Sequence, residues 1–340
     1  MKFKAYHKIK QFKDVIRDIN LTSNYKGKDA DNNPIYEETE KPILKFKGTV
    51  KLHGTNASVY YTPEKGIMAG KRTSGLNPEQ LTAHMGFNQF VQVTKKEYFT
   101  ELLADLYSKL CKDTIYNQII IYGDWAGKGI QKGIGIAELD KSFYIFDCKL
   151  VNTITEEFEW ITLTTLPSLP EEKIYLITDF PTFEIEIDFN NPGLSQNKLI
   201  ELTTEVEREC PVAKQLGVSG VGEGIVWKTE WQGQRYIFKV KGDKHSTCKS
   251  KTLAPIDPEV IKSINAFVEY ACTTNRINQG IQETNAKDKK DTPNLLRWIA
   301  NDIISEEDDT LQANNLEWKQ VAKQCNYRVR DYYFKQIDKI

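Results

Sequence analysis

Lys51-Leu52-His53-Gly54-Thr55-Asn56 stands between an apolar-rich run, Ile43 to Val50, and an alternating one, Ala57 to Tyr61. The spacing predicts a lysine at the end of a strand, then a glycine turn and a short amide side chain. A strand end holds the amine rigidly, and a glycine lets a phosphate come close to the backbone. A lysine held in this way can serve as a nucleophile. An ammonium group cannot attack anything, so neighbouring cations, a metal ion or desolvation must lower its pKa. That need predicts more lysines and some carboxylates elsewhere in the chain. Taken alone, the hexapeptide also reads as a solvent-facing lysine before a β-turn.

The elements that would position such a site can be traced along the chain. Phe3 to Ile9 reads as a short strand, followed by a helix or turn with Phe12, Val15, Ile16 and Ile19 at helical spacing. Thr22 to Lys41 reads as a long polar loop or an exposed hairpin, and Gly66 to Arg72 as a short segment ending in Lys71-Arg72. Residues 78 to 110 predict helix, with Phe87, Phe90 and Val91 and then Leu102, Leu103, Leu106 and Leu110 on a face suited to packing on a sheet. Ile119 to Tyr122 forms a buried strand that runs into Gly123-Asp124-Trp125-Ala126-Gly127-Lys128-Gly129-Ile130. Those glycines match neither the Rossmann nor the Walker spacing, which argues against a dinucleotide fold. Phe143 to Asp147 is another strand, and a period of two puts Phe143, Ile145 and Asp147 on one face. Lys198 to Leu216 reads as a helix that Pro211 should end or bend, and strands follow at Gly222 to Lys228 and Tyr236 to Lys241. After Pro255 the pattern is helical only. Three helices are expected there, two of them opened by Asp257-Pro258 and Thr292-Pro293 and the third carrying Trp318, Val321, Cys325 and Val329.

Composition narrows the class. A chain of 340 residues with 40% hydrophobic content predicts a globular protein of two domains, one of them large. Lys plus Arg number 46 against 47 Asp plus Glu, so overall charge gives no sign of a polyanion partner, and any such site must be a local patch. The stretch Lys239 to Lys251, with five lysines and His245 against Asp243, is a candidate. Six scattered cysteines without a C-x-x-C pair fit reduced thiols better than a disulfide framework or a zinc site. Met1 to Asp18 has no apolar core of a secretory signal, and no run is long and apolar enough to span a bilayer. The expectation is a soluble, monomeric protein of the cytoplasm, phage-encoded or otherwise intracellular.

Lys51-x-His53-Gly54-Thr55-Asn56, Lys71-Arg72, Tyr122-Gly123-Asp124, Phe143-x-x-Phe146-Asp147, Glu223-Gly224-x-Val226-x-Lys228 and Lys239-x-Lys241 occur in the order and rough spacing of the covalent nucleotidyltransferases, the ATP-dependent ligases and mRNA capping enzymes. The histidine two after the lysine and the asparagine five after it resemble the RNA ligase branch, the nick-sealing phage RNA ligases of the second type and the trypanosome editing ligases. The resemblance implies an α+β fold. Residues 1–250 would form a nucleotidyltransferase (ATP-grasp-like ligase) domain of antiparallel sheets with flanking helices, and residues 255–340 a small all-α domain. It also implies ATP and Mg²⁺ or Mn²⁺ as cofactors, and RNA with 3′-hydroxyl and 5′-phosphate ends as partner.

Each residue then has an expected role. Lys51 would take AMP from ATP, and the AMP would pass to an RNA 5′-phosphate before a 3′-hydroxyl displaces it. These are displacements at phosphorus, in which protein catalysis is mainly positioning and charge neutralisation. Lys239 and Lys241 share one face of a strand, so both can reach the same phosphates and raise the local potential; otherwise they guard a strand edge. Glu223 is a hard oxygen donor that the resemblance places on a catalytic metal, or else a strand-end carboxylate satisfied by a lysine. The resemblance makes Phe143 the aromatic that stacks on adenine, where core packing is the other use for it. Arg72 would hold ribose or phosphate, His53 would orient phosphate, and Asn56 would serve a phosphate or a ribose or merely cap the turn. Asp124 departs from the pattern, since the family usually has glutamate there. Its contact with the ribose 2′-hydroxyl or a metal is left open, directly or through a water.

Two rival readings share these residues. A DNA ligase or a capping guanylyltransferase uses the same lysine, but those relatives typically carry aspartate where His53 stands and an OB-fold tail. A non-catalytic RNA-binding relative would keep the fold without turnover.

Overall fold

The computed structural model describes residues 1–37, 39–111, 114–242, 258–314 and 316–337. The first helix, α1 (Phe12–Asn24), buries Val15 and Ile19 and leads into a small hairpin, β1 (Tyr25–Lys28) with β2 (Pro34–Tyr36). The strand expected at Phe3 to Ile9 does not form. This segment instead lies across a sheet face, with the Lys4 carbonyl accepting from the hydroxyls of Tyr60 (2.9 Å) and Tyr122 (2.8 Å), so its alternation records packing and not strand pairing.

β3 (Ile43–Lys51), β4 (Thr55–Thr62) and β5 (Gly66–Lys71) follow. The single helix expected over residues 78–110 is broken. A short turn α2 (Phe87–Gln89) passes through a π-helical stretch at Phe90–Thr94 into α3 (Lys96–Leu110). β6 (Gln118–Ala126), β7 (Ser142–Val151), β8 (Phe158–Ile161) and β9 (Ile174–Leu176) complete a six-stranded sheet in which β5, β4, β6, β7 and β8 are neighbours in that order and β9 pairs with β7. β10 (Thr182–Asp188) opens the second sheet, ordered β10-β3-β11-β12, in which every pairing is antiparallel. α4 (Gln196–Arg208) and α5 (Pro211–Gln215) are two helices because Pro211 ends one and starts the other. β11 (Gly224–Trp231) and β12 (Gln234–Lys241) close that sheet.

Period-two patterning explains how the second sheet works. On β3, Leu44, Phe46 and Val50 point into a core shared with Trp227 and Phe238, while Thr49 and Lys51 point the other way. Burial of each such large side chain contributes about 1.5–3 kcal/mol. A second core packs α3 against the six-stranded sheet.

Among the described residues the tail forms four helices: α6 (Pro258–Ala271), α7 (Thr274–Thr284), α8 (Thr292–Ala313) and α9 (Trp318–Ile337). They bury their own core around Phe267, Leu295, Ile303 and Val329. α7 is the helix the sequence hid, because Ile277 and Ile281 are its only aliphatic residues and two positions are too few to mark a helical repeat. The end of the lysine-rich stretch, Asp243 to Lys251, and the boundary expected near residues 250–256 lie outside the described residues. No helix among them is long and apolar enough to cross a membrane.

Candidate active site

A cavity of about 370 Å³ is lined by the outward face of β3, β11 and β12, by β4, β6 and β7 of the larger sheet, and by helices of the tail. Strand register places the lysines. Gly224 pairs with Lys51 on one side and with Lys241 on the other, so the three lie in one row across the sheet. Two residues along, Val226 pairs with Thr49 and with Lys239, which puts Lys239 and Lys241 on the same face two positions apart. A Cβ at residue 224 would come within 2.1 Å of the Val240 carbonyl oxygen, so only glycine lets β12 run this close beside the row.

Glu223, one residue before that row, is buried between the two lysines. Lys51 Nζ donates to its Oε2 at 2.7 Å, and Lys241 Nζ lies 3.2 Å from its Oε1. His53 Nδ1 stands 3.3 Å from the same Oε2. Burial alone would raise the Glu223 carboxyl, but Lys51, Lys241 and His53 outweigh it and hold the group well below the usual carboxylate range. Lys241 is the counterpart. Burial would discharge it, yet Glu223, Tyr270 and Glu307 keep it well above the ordinary lysine value. Lys239 is lowered, by burial first and then by the charge of Lys241. A carboxylate this deep is tolerable only with such partners, and removing one leaves an uncompensated buried charge.

The opposite wall carries Asn56 and Asp124, which face each other across the β4–β6 pairing. Desolvation pushes the Asp124 carboxyl up to about 7; Lys51 opposes this, and Glu223 and Glu306 add to it. Arg72 and Lys71, at the end of β5, also line the cavity. Arg72 donates to Glu306 and, at 3.2 Å, to the Ser305 carbonyl, while Lys71 pairs with Glu283.

Phe143 is not at the site. Its ring is fully buried on the far side of β7 among Phe87, Phe99 and Ile145, and it occupies the space that a side chain at Gly123 would fill. The reason is a β-bulge. Tyr122 pairs with Asp147 but Gly123 pairs with Ile145, so Phe146 is an extra residue and the side-chain phase shifts there. Tyr144 and Phe146 line the cavity in place of Phe143, and the single face expected for Phe143, Ile145 and Asp147 splits. Asp147 is buried, with Lys228 Nζ at 2.8 Å, Arg235 at 2.9 Å and the Tyr6 hydroxyl at 2.5 Å. Lys228 also lies over the Phe146 ring at 5.6 Å, which fixes the ring beside the cavity.

The structure brings Lys51, His53, Asn56, Arg72, Asp124, Glu223, Lys239 and Lys241 together on the lining of one cavity. Sequence reasoning missed Phe146 and Lys228 as lining residues, although both stood inside the motifs. It also missed His84, a buried ring whose Nε2 lies 2.9 Å from the Asn56 carbonyl and whose pKa burial lowers to about 4. The tail residues Tyr270, Arg276, Glu306 and Glu307 left no signal beyond the acidic run at residues 306–309.

For a divalent cation, Glu223 and Asp124 are the candidate donors. No group of three or more His, Cys, Asp or Glu side chains able to hold a metal occurs among the described residues. A magnesium-type ion is commonly held by one or two carboxylates together with phosphates and water, and two hard oxygen donors are what Glu223 and Asp124 offer.

Several solved RNA ligase structures from Naegleria gruberi resemble the chain. One with PPi has a TM-score of 0.43 and 16% identity, covering 72% of this chain and 58% of that one. A mutant with AMP and Mn gives the same four values, and a mutant in the apo form has a TM-score of 0.42 and 17% identity, covering 71% and 56%. This chain thus spans under two thirds of their length. No curated protein matches it. The model of the RNA ligase family matches residues 45–241, which hold every motif of the cavity floor and walls, and the chain belongs to that family.

Proposed function

We propose that the chain is an ATP-dependent RNA ligase that joins a 3′-hydroxyl to a 5′-phosphate through a lysyl-AMP on Lys51, using Mg²⁺ or Mn²⁺. The observation that carries this is the row Lys51–Gly224–Lys241 with Glu223 buried against both lysines. Glu223 fixes the Lys51 amine at the cavity floor. Lys241 and Lys239 supply positive charge where the phosphates of ATP would lie, and Arg72 offers a planar fork from the rim. Phe146, on the cavity lining, would cover adenine, and Asp124 and Asn56 would face the ribose.

The unprotonated amine of Lys51 attacks the α-phosphorus, the bond to the bridging oxygen breaks, and pyrophosphate leaves. The AMP then moves to the 5′-phosphate of RNA, and the 3′-hydroxyl attacks that phosphate and releases AMP. A divalent cation, when bound at Glu223 and Asp124, would neutralise charge on the phosphates. His53 orients the phosphate from beside Glu223.

The motifs favour the nick-sealing phage and trypanosome editing branch, with residues 1–250 as the adenylation domain and 255–340 as its helical companion. The test is to incubate the protein with α-labelled ATP or GTP and then with nicked duplex or single-stranded 5′-phosphorylated RNA. Labelling by ATP and sealing by the wild type but not by Lys51→Ala support the reading. Exclusive labelling by GTP overturns it.

A further inference from the structure

The cations of the cavity are already occupied by anions of the chain itself. Asp302, Glu306 and Asp309 recur on α8 at intervals of four and three, which puts them on one helix face. That face meets the cavity. Arg72 is paired with Glu306, and Lys239 Nζ lies 2.8 Å from Asp309 Oδ2. Lys241 Nζ stands 4.0 Å from Glu307 Oε2, and Lys71 is paired with Glu283 of α7. Lys8, also on the cavity lining, adds a contact of 3.0 Å to Asp308. The four cations best placed to bind phosphates thus each face a carboxylate of the helical tail.

The acidic face is presented from a firm base. Arg276 of α7 donates to Glu307 at 3.0 Å and lies 2.9 Å from Asp302, which ties α7 to α8. Like charges so closely spaced repel; Arg276 offsets this for Asp302 and Glu307, whereas Glu306 and Asp309 find their cations across the cavity, on Arg72 and Lys239. By contrast, among the described residues the apolar core of the tail draws on residues 264 to 337, and the two main cores of the sheets draw on none of these. The described contact between the two parts is therefore largely ionic. Such a contact is weakened by salt and open to competition from another polyanion.

We propose that the acidic face of α7 and α8 is a built-in stand-in for substrate phosphates, competing with the triphosphate for Lys71, Arg72, Lys239 and Lys241, so that uptake of nucleotide requires release of that face. The inference rests on the reading of the cavity as a nucleotide site. A ligand that binds the open state better than the covered one shifts the chain toward the open state, and the coupling is reciprocal. Weakening the cover then tightens triphosphate binding, and triphosphate binding loosens the cover.

Two measurements on the full chain test this. The first compares adduct formation from labelled ATP in the wild type and in Glu306→Gln/Asp309→Asn. The ATP concentration for half-maximal labelling is expected to fall by about fivefold or more, the lower range of such couplings. An unchanged or higher value overturns the inference while leaving the nucleotide site in place. Absence of any adduct from both proteins overturns the nucleotide reading and the inference with it. The second follows amide hydrogen exchange of wild-type residues 302–309 with and without inorganic tripolyphosphate, and needs no variant to fold. Faster exchange with tripolyphosphate is expected. Unchanged or slower exchange overturns the proposal.

Discussion

Lys51 Nζ and Glu223 Oε2 stand 2.7 Å apart although 172 residues separate them in the chain. The contact exists because β3 and β11 are neighbours and Gly224 is in register with Lys51. Glu223 is thereby shared by the amine proposed as nucleophile and by Lys241, which stands on the other side of the same row.

Replacing the shared carboxylate should damage both fold and chemistry. Glu223→Gln takes from Lys51 its paired carboxylate and leaves Lys241 only the more distant Glu307, at a cost on the order of 3 kcal/mol, as for breaking a buried ion pair. The expected outcome is a lower urea midpoint at pH 7 together with at least about a 100-fold slower adduct formation, the scale of loss for an electrostatic group in a reacting centre. Wild-type stability in this variant would contradict the burial argument.

The two phenylalanines of β7 should separate cleanly. Phe143→Ala removes a fully buried ring and is expected to cost about 3–5 kcal/mol of stability. Phe146→Ala removes a cavity wall, so the main effect expected is weaker ATP binding, measured by the concentration dependence of labelling, with a smaller loss of stability. The reverse pattern would restore Phe143 as the stacking aromatic.

What could be read from the chain follows from which forces are local. Lys239 and Lys241 were legible because a spacing of two on a strand fixes one face, and Gly222-Glu223-Gly224 marked a strand start where a carboxylate could be held. Phe143 misled because the bulge at Phe146 shifts the side-chain phase, and a strict period of two cannot reveal an inserted residue. The pairing of Arg72 with Glu306 and of Lys239 with Asp309 was invisible, since charge complementarity between distant segments leaves no periodic mark. Helix α7 was lost for a related reason, being held by the contact of its neighbours with Gly280 more than by its own propensity.

Asp124 gives a dependence on pH with a defined sign. Its folded-state pKa is raised from 3.8 to about 7, by desolvation first, with Glu223 and Glu306 adding to the shift and Lys51 and Lys228 opposing it. The folded state then holds a proton that the unfolded state has released, so this group makes stability fall as pH rises from about 4 to about 7. Asp124→Asn should therefore gain stability relative to the wild type between pH 5 and pH 8, on the order of 2 kcal/mol. Urea unfolding at the two pH values reads this directly, and a gap that is constant or narrows toward pH 8 would count against a raised carboxyl.

In the proposed reaction the amine of Lys51 becomes covalently bound to AMP. The direct measurement is mass spectrometry of the intact protein and its peptides after incubation with ATP and Mg²⁺ for the wild type, Lys51→Ala and Lys51→Arg. One added AMP is expected on the peptide that contains Lys51, and none in either variant, because alanine has no amine and a guanidinium keeps the charge but cannot give up its proton to attack. An AMP adduct on a different residue, or an adduct that survives in Lys51→Ala, would contradict the proposed reaction.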